Sequence, residues 1–344
     1  MSILVVDAEE LNYIWDSICN LQLIFHPRLS REGAIDYKTL STLKYSKKVN
    51  ILLDRNLLSS LLKLSREGCL KNENEMRTIA LLMTWALMNN FSISAGLALK
   101  EYATIIDDVI VPKMELQEFN NIFAYYPSML WLRLAEGQID RIPICPLPIT
   151  PFLTEIKYNE ADDHLLMHFA EMLHGVYLYR RSDLSPVEKM VSFLKWNYKY
   201  LLISESTLVY VAMLFTSQVG VKAPKGSYSK DIKKIINGCK NQAWDLSYLS
   251  NWSCFHYNEN REKDVFLFAT NDNLLKMIFV NTYADGGFGA LIEVLFSKSD
   301  VQQISDVINN NRGSMRVKPN FGDNPKDYFH RIIEQEKQRV IDVL

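Results

Sequence analysis

Apolar residues along the chain occur in two kinds of run. Val49–Asp54 (VNILLD) is a short β-branched and Leu-rich run without alternation, the pattern of a strand covered on both faces in a parallel sheet. Helix-compatible spacing follows at Leu57–Leu64, and a polar break covers Ser65–Asn74. A second helix is expected over Glu75–Met88, with an acidic residue near its start and Asn89-Asn90 at its end. Phe91–Ala95 (FSISA) has the look of a second strand, and GLALKEYATII after it of a third helix, giving the order β-α-α-β-α.

Periodicity is lost from about Asn120 to Thr150. This stretch ends in IPICPLPITP, whose prolines forbid a continuing helix and mark a boundary. Helices are expected again over Asp162–Tyr179, over Pro186–Leu202, where Ser185-Pro186 supplies the opening signal, and over Ser206–Thr216. Further on, Asn241–Leu249 closes a helix-forming run, Asp264–Asp272 (DVFLFATND) is a buried strand ending in polar residues, and Leu274–Val280 is a helix. Ala290–Phe296 fits strand or helix equally, and a terminal helix is expected over Lys326–Val343. No internal repeat or low-complexity tract is visible. The expected organisation is an N-terminal extension (1–46), the first half of an α/β domain (47–120), a mainly helical insertion (121–237), the second half of that domain (238–300) and a C-terminal tail with a helix (301–344).

Composition narrows the class more than the function. The 344 residues are 48% hydrophobic and carry a formal charge of −2, which excludes disorder and fibrous repeats but leaves nucleic acid as a partner, because binding depends on local clustering. One such cluster exists. Between Val221 and Lys240, Lys222, Lys225, Lys230, Lys233, Lys234 and Lys240 face the single Asp231, a net of +5. Five cysteines, odd in number and without a CxxC pair, argue against a disulfide framework and for a reducing, cytoplasmic setting. Asp7, Glu9 and Glu10 stand where a secretory leader would need basic residues, and no apolar run reaches bilayer length, so neither targeting nor membrane contact is expected.

Two expected strands end in a carboxylate, ILLD at Asp54 and FATND at Asp272. In an open parallel sheet the carboxyl ends of the strands line the ligand crevice, so these side chains would meet there. Glu101, six residues beyond the second strand, and Asp245, on the helix before the third, are placed to join them. Converging carboxylates repel one another and raise their own pKa values, and a divalent cation removes the conflict. An open oxygen-ligand site suits Mg²⁺ acting on a phosphate.

ILLDRN, SISAGLALKEY, NQAWDLSYL and FATNDNLLK, in that order, resemble the PIN domain family of nucleases. The resemblance spans Lys47–Tyr102 and Gly238–Phe296, barely a third of the chain; FATNDN and AWDL are its more telling pieces. It implies a Rossmann-like α/β/α fold with a parallel sheet, Mg²⁺ or Mn²⁺ dependence, and endoribonuclease activity on RNA. Many members of the family are toxins or antiviral defence effectors, restrained by an inhibitory or regulatory protein partner. Carried over by residue, Asp54, Glu101, Asp245 and Asp272 form the acidic, metal-binding quartet, flanked by Thr270 and Asn273. Asn56 and Lys225, Lys230, Lys233 and Lys234 are then candidate contacts to the nucleic acid. The departure from the family is length: Glu101 and Asp245 stand 144 residues apart, so Glu115, Glu118 or Asp107-Asp108 compete for the place of Glu101.

Blander readings stand beside these. Asp54 and Asp272 also sit where helix caps would be, the lysines could be a solvated face, and Trp244 and Trp252 are core residues before they are base-stacking partners for RNA, as Tyr228 and Tyr257 would be. His164 and His168 share a helix face, but HLLMH lacks the glutamate of a zinc-protease motif. YADGGFGA is expected to be a flexible turn, and a catalytically inactive interaction protein, a single-stranded DNA nuclease and a homo-oligomer all stay open.

Overall fold

The computed structural model of the chain describes residues 7–35, 40, 47–146, 162–259, 263–312 and 316–344. In chain order these form α1 (Ala8–Leu21), β1 (Ile24–Phe25), β2 (Lys48–Leu53), α2 (Arg55–Glu67), α3 (Glu73–Met88), β3 (Ser92–Ser94), α4 (Gly96–Ile106), α5 (Ile110–Tyr125), α6 (Ser128–Ala135), α7 (Asp163–Arg180), α8 (Pro186–Tyr200) and α9 (Glu205–Phe215). They continue as α10 (Ile232–Asn258), β4 (Asp264–Ala269), α11 (Asn273–Tyr283), α12 (Gly287–Leu295), α13 (Lys298–Asn309) and α14 (Pro325–Ile341). The protein is therefore α/β and mostly helical. Its contacts divide it into two compact units, Met1–Glu160 with Trp252–Asp272, and Ala161–Asn251 with Asn273–Leu344.

The first unit holds the sheet, in the order β1-β4-β2-β3. β2 lies at its centre, parallel to both β3 and β4, with Leu53 opposite Ala269. That position explains the lack of alternation: Val49, Ile51, Leu52 and Leu53 are all buried, as are Val265, Leu267, Phe268 and Ala269 on β4. The sheet is mixed, not wholly parallel, because β1 from the residues set aside as an extension pairs antiparallel with β4, Ile24 opposite Ala269. This two-residue strand covers what would otherwise be an open edge.

Around the sheet, α2 buries Leu57, Leu58, Leu61, Leu62 and Leu64, each worth roughly 1.5–3 kcal/mol before entropy is counted. Gly68 at φ 76° ends the helix in a left-handed conformation that a side chain would strain. In α3 every residue from Met76 to Ala86 except Arg77 is buried, so it runs through the core, in contact with α1 and α6. Residues 121–135 are not irregular: they finish α5 and form α6, whose Trp131, Leu132, Leu134 and Ala135 are buried. Periodicity was weak there because burial on several sides removes the polar face. Part of the proline-rich boundary, 147–151, lies outside the described residues.

The second unit is helical. α7 packs against α8 and α14, and α9, buried throughout from Ser206 to Phe215, packs against α7, α8, α11 and α12. The glycine-rich YADGGFGA is a helix start, not a flexible turn: Gly286 and Gly287 both have positive φ, and Glu205 accepts the Phe288 N–H at 2.9 Å. Ala290–Phe296, ambiguous by periodicity, falls mostly within helix α12. No described helix is long and apolar enough to cross a membrane.

Candidate functional site

At the centre of the sheet the chain order changes direction: β2 is followed by β3 on one side and, much later, by β4 on the other. Ligands in open α/β sheets bind beyond the strand ends at such a switch point. The two residues that leave β2 and β4 here are Asp54 and Thr270. Asp54 donates its N–H to the Ala269 carbonyl at 3.0 Å, extending the ladder by one bond. Its Oδ1 accepts the Leu57 N–H at 2.7 Å and caps α2, and its Oδ2 accepts the Thr270 hydroxyl. Thr270 Oγ1 in turn accepts the Asp272 N–H at 3.0 Å. The cap role weighed for Asp54 is thus realised, and the same carboxylate is tied to the strand end that carries Asp272.

Asp54 is 2% exposed and Thr270 is fully buried. Burial raises the Asp54 carboxyl from the ordinary 3.8 to about 6, and the neighbouring Asp272 pushes the same way. Hydrogen bonds from Thr270, Leu57 and Asn271 oppose the rise without cancelling it. A carboxyl with both oxygens hydrogen-bonded and a pKa still this high is under-compensated for negative charge.

A polar cleft of about 290 Å³ lies beside the start of α2. Asn56, Asn72, Asn74, Glu75 and Asn271 line it; of these only Asn56 was singled out from sequence. Glu101 lies on α4, half-buried, in the same unit. Its competitors have other work. Glu115 is buried against the Arg55 guanidinium at 2.6 Å, and Glu118 against Arg66 at 2.8 Å. Asp107 ends α4 at φ 52°, and Asp108 accepts the Ile110 N–H at 2.6 Å.

Asp245 and Asn273 belong to the second unit. Asp245 is half-buried on α10 and accepts Gln242 Nε2 at 3.0 Å. Lys225, Lys230, Lys233 and Lys234 are all exposed. Their loop is fixed against α10, since a Cβ on Gly238 would meet the Lys225 carbonyl oxygen at 1.8 Å. Trp244 and Trp252 are buried core residues, whereas Tyr228 and Tyr257 are 73% and 74% exposed.

Among the described residues, the group of three whose ligand atoms converge within 4.8 Å is His26, His256 and Glu259 in the first unit. These could hold a metal ion. Glu259 is also the centre of a hydrogen-bond network: it accepts His26 Nε2 at 3.1 Å, Arg28 Nη2 at 2.7 Å, the Phe266 N–H at 2.9 Å and His256 Nδ1 at 3.2 Å. The Arg28 N–H points at His26 Nδ1, 3.2 Å away, which leaves the His26 proton on Nε2, where it would have to be lost for metal to bind. Burial alone would raise the Glu259 pKa, but the bonds from His256, His26 and Phe266 hold it well below the usual range. No sequence spacing signalled this cluster, since His26 and Glu259 are brought together only by β1 joining β4.

Two histidines of α7 join buried polar networks. His168 Nδ1 meets Glu171 at 2.7 Å and Nε2 meets Ser250 Oγ at 2.7 Å. Asn197 and Thr207 also donate to Glu171, at 2.7 and 2.8 Å. The order Ser-His-Glu is that of a hydrolase, but Ser250 lies inside α10, where neighbouring N–H groups bond up the helix and offer no oxyanion hole. His174 Nδ1 meets Glu336 at 2.8 Å.

Comparison of the chain with models of protein families, with curated proteins and with solved structures returns no match.

Proposed function

We propose that the chain is a metal-dependent phosphodiesterase of PIN-like type, with RNA as substrate. The observation that carries this reading is the juxtaposition of Asp54 and Asp272 at the switch point of a parallel three-strand core, with Asp54 raised to about 6. A structural cap needs no second carboxylate beside it, and burying one costs stability. Asp54 and Asp272 would hold Mg²⁺ or Mn²⁺, and the resemblance adds Glu101 of the same unit to the set. The donor type fits: two neighbouring carboxylates supply hard oxygens, and the polar cleft lined by Asn56 and Asn271 lies beside them in the chain. When bound, such an ion lowers the pKa of a water and offsets charge on the phosphate oxygens.

The chain's own residues supply position. Thr270 ties one Asp54 oxygen to the backbone of Asp272. Asn56 and Asn271 present amide groups to the cleft, donors suited to a phosphodiester or a ribose hydroxyl. Lys225, Lys230, Lys233 and Lys234 would add salt-dependent affinity for a phosphate backbone. The direct test is incubation of the purified protein with total RNA and with single-stranded DNA, with and without Mn²⁺, beside the Asp272→Asn variant. Cleavage of RNA that requires Mn²⁺ and vanishes in the variant is expected; cleavage retained by a folded variant rejects the assignment.

A second reading is an interaction protein that keeps the sheet without cleavage. It is favoured by one observation, that both Asp54 oxygens already serve as hydrogen-bond acceptors. Absence of Mn²⁺ binding to the wild-type chain would select it.

A further inference from the structure

The second unit contains a cavity of about 480 Å³ whose chemistry the nuclease reading does not use. It lies among α7, α8 and the end of α14. Four cations line it, Arg181, Lys195, Lys199 and Arg339, and none of its lining residues is acidic. The volume falls in the range of small-molecule sites.

The four cations are not equally free. Arg181 is paired with Asp183 at 2.5 Å, and Arg339 approaches Glu336 at 3.4 Å. Lys195 and Lys199 are exposed and have no acidic partner among the described residues. They are four residues apart on α8, so their ammonium groups share one helix face and repel. An anion between them would convert that repulsion into attraction.

Aromatic rings complete the lining. Arg181 and Arg339 each stand 6.0 Å from the Tyr177 ring centre, and Lys199 stands 4.9 Å from that of Tyr200. Trp196 stacks on His174 at 4.1 Å with their planes 10° apart. His174 provides an independent sign of a missing partner. It is 3% exposed, its Nδ1 is engaged by Glu336, and its Nε2 is buried with no hydrogen-bond partner. Burial lowers the His174 pKa, so the ring is neutral, its proton is on Nδ1 facing the carboxylate, and Nε2 is a bare acceptor. Buried acceptors are normally paired, so this atom, on a residue that lines the cavity, lacks a donor.

We infer that this cavity binds a mononucleotide, its phosphate between Lys195 and Lys199 and its ring or ribose against Trp196 and Tyr200, with a ligand hydroxyl or amine donating towards His174 Nε2. Each element of the lining answers one part of that ligand: ammonium groups for the phosphate, ring faces for the base, and a buried acceptor for a sugar hydroxyl or an exocyclic amine. The inference is independent of Asp54 and Asp272 and stands or falls without them.

The test uses the full chain and four probes, AMP, GMP, CMP and UMP, with inorganic phosphate and adenosine as controls. Binding is followed by tryptophan fluorescence and calorimetry. At least one nucleotide is expected to bind with quenching, more tightly than phosphate or adenosine alone, and more weakly as salt is raised. Lys195→Ala and Lys199→Ala change exposed side chains, so folding should be kept, and each should weaken binding by roughly tenfold or more. His174→Phe, checked by circular dichroism, should weaken it further while leaving inorganic phosphate binding unchanged. Failure of all four nucleotides to bind, phosphate binding as tightly as the nucleotides, or lysine variants with unchanged affinity would each overturn the inference.

Discussion

Replacing Asp54 by Asn separates a carboxylate held for chemistry from one held for stability. Asn caps helices as well as Asp does, so the bond from the Leu57 N–H is kept. What changes is the charge. In the native state the carboxyl holds its proton up to about 6, against 3.8 ordinarily. Between those values the folded chain binds more protons than the unfolded one. Stability from this group is therefore complete below about pH 3.8 and is lost as pH rises through 6. At about 1.4 kcal/mol per tenfold, the loss is about 3 kcal/mol. The Thr270 hydroxyl must turn away from the new amide, which returns about 1 kcal/mol. Asp54→Asn should therefore be more stable than wild type by about 2 kcal/mol at pH 8, and the gap should close, then reverse, by pH 3.5. Urea unfolding of both proteins across this range measures it, with near-ultraviolet circular dichroism reporting on the buried Trp15 and Trp85 of the first unit. Mn²⁺ at pH 8 should raise the stability of wild type and leave the variant unchanged. Parallel pH curves, or a variant that is less stable at pH 8, would show that Asp54 carries no excess charge and refute the reasoning.

Other outcomes follow from single contacts. Thr270→Val should raise the Asp54 pKa further and cost about 1–3 kcal/mol, read by the same pH-dependent unfolding. Glu259→Ala leaves buried His26, Arg28 and the Phe266 N–H without their acceptor and should cost about 3–5 kcal/mol at neutral pH. Because the Glu259 pKa is depressed, that contribution is present above the ordinary 4.5 and is lost on acidification, so wild type and variant should converge at low pH. Gly238→Ala forces the Lys225 carbonyl off α10 and should cost about 1–3 kcal/mol, seen in thermal unfolding, with weaker RNA binding if the lysines contact the strand.

Much of the fold was legible in the chain. The runs VNILLD and DVFLFA could be placed as central strands because a strand covered on both faces carries no polar alternation, and Ser185-Pro186 marks a helix start by its own chemistry. Where burial was nearly complete the signal failed: α6 passed for irregular structure, and α12 could not be told from a strand. At the candidate site, Asp54, Thr270 and Asp272 could be named in advance because each lies next to the strand that carries it.

Sequence by itself determined the strand ends, the acidic residues on them and the basic stretch before Asp245, since these are local in the chain. Tertiary structure alone decided the rest. It set β4 beside β2 across more than two hundred residues, so that Thr270 could bond Asp54 and Asp272 could raise its pKa. It also joined His26 to Glu259 and brought Lys199 and Arg339 to one cavity, with no spacing to announce either. The reason is physical: hydrophobic burial fixes which elements pack, is indifferent to sequence separation, and carries polar side chains to neighbours that no local pattern encodes.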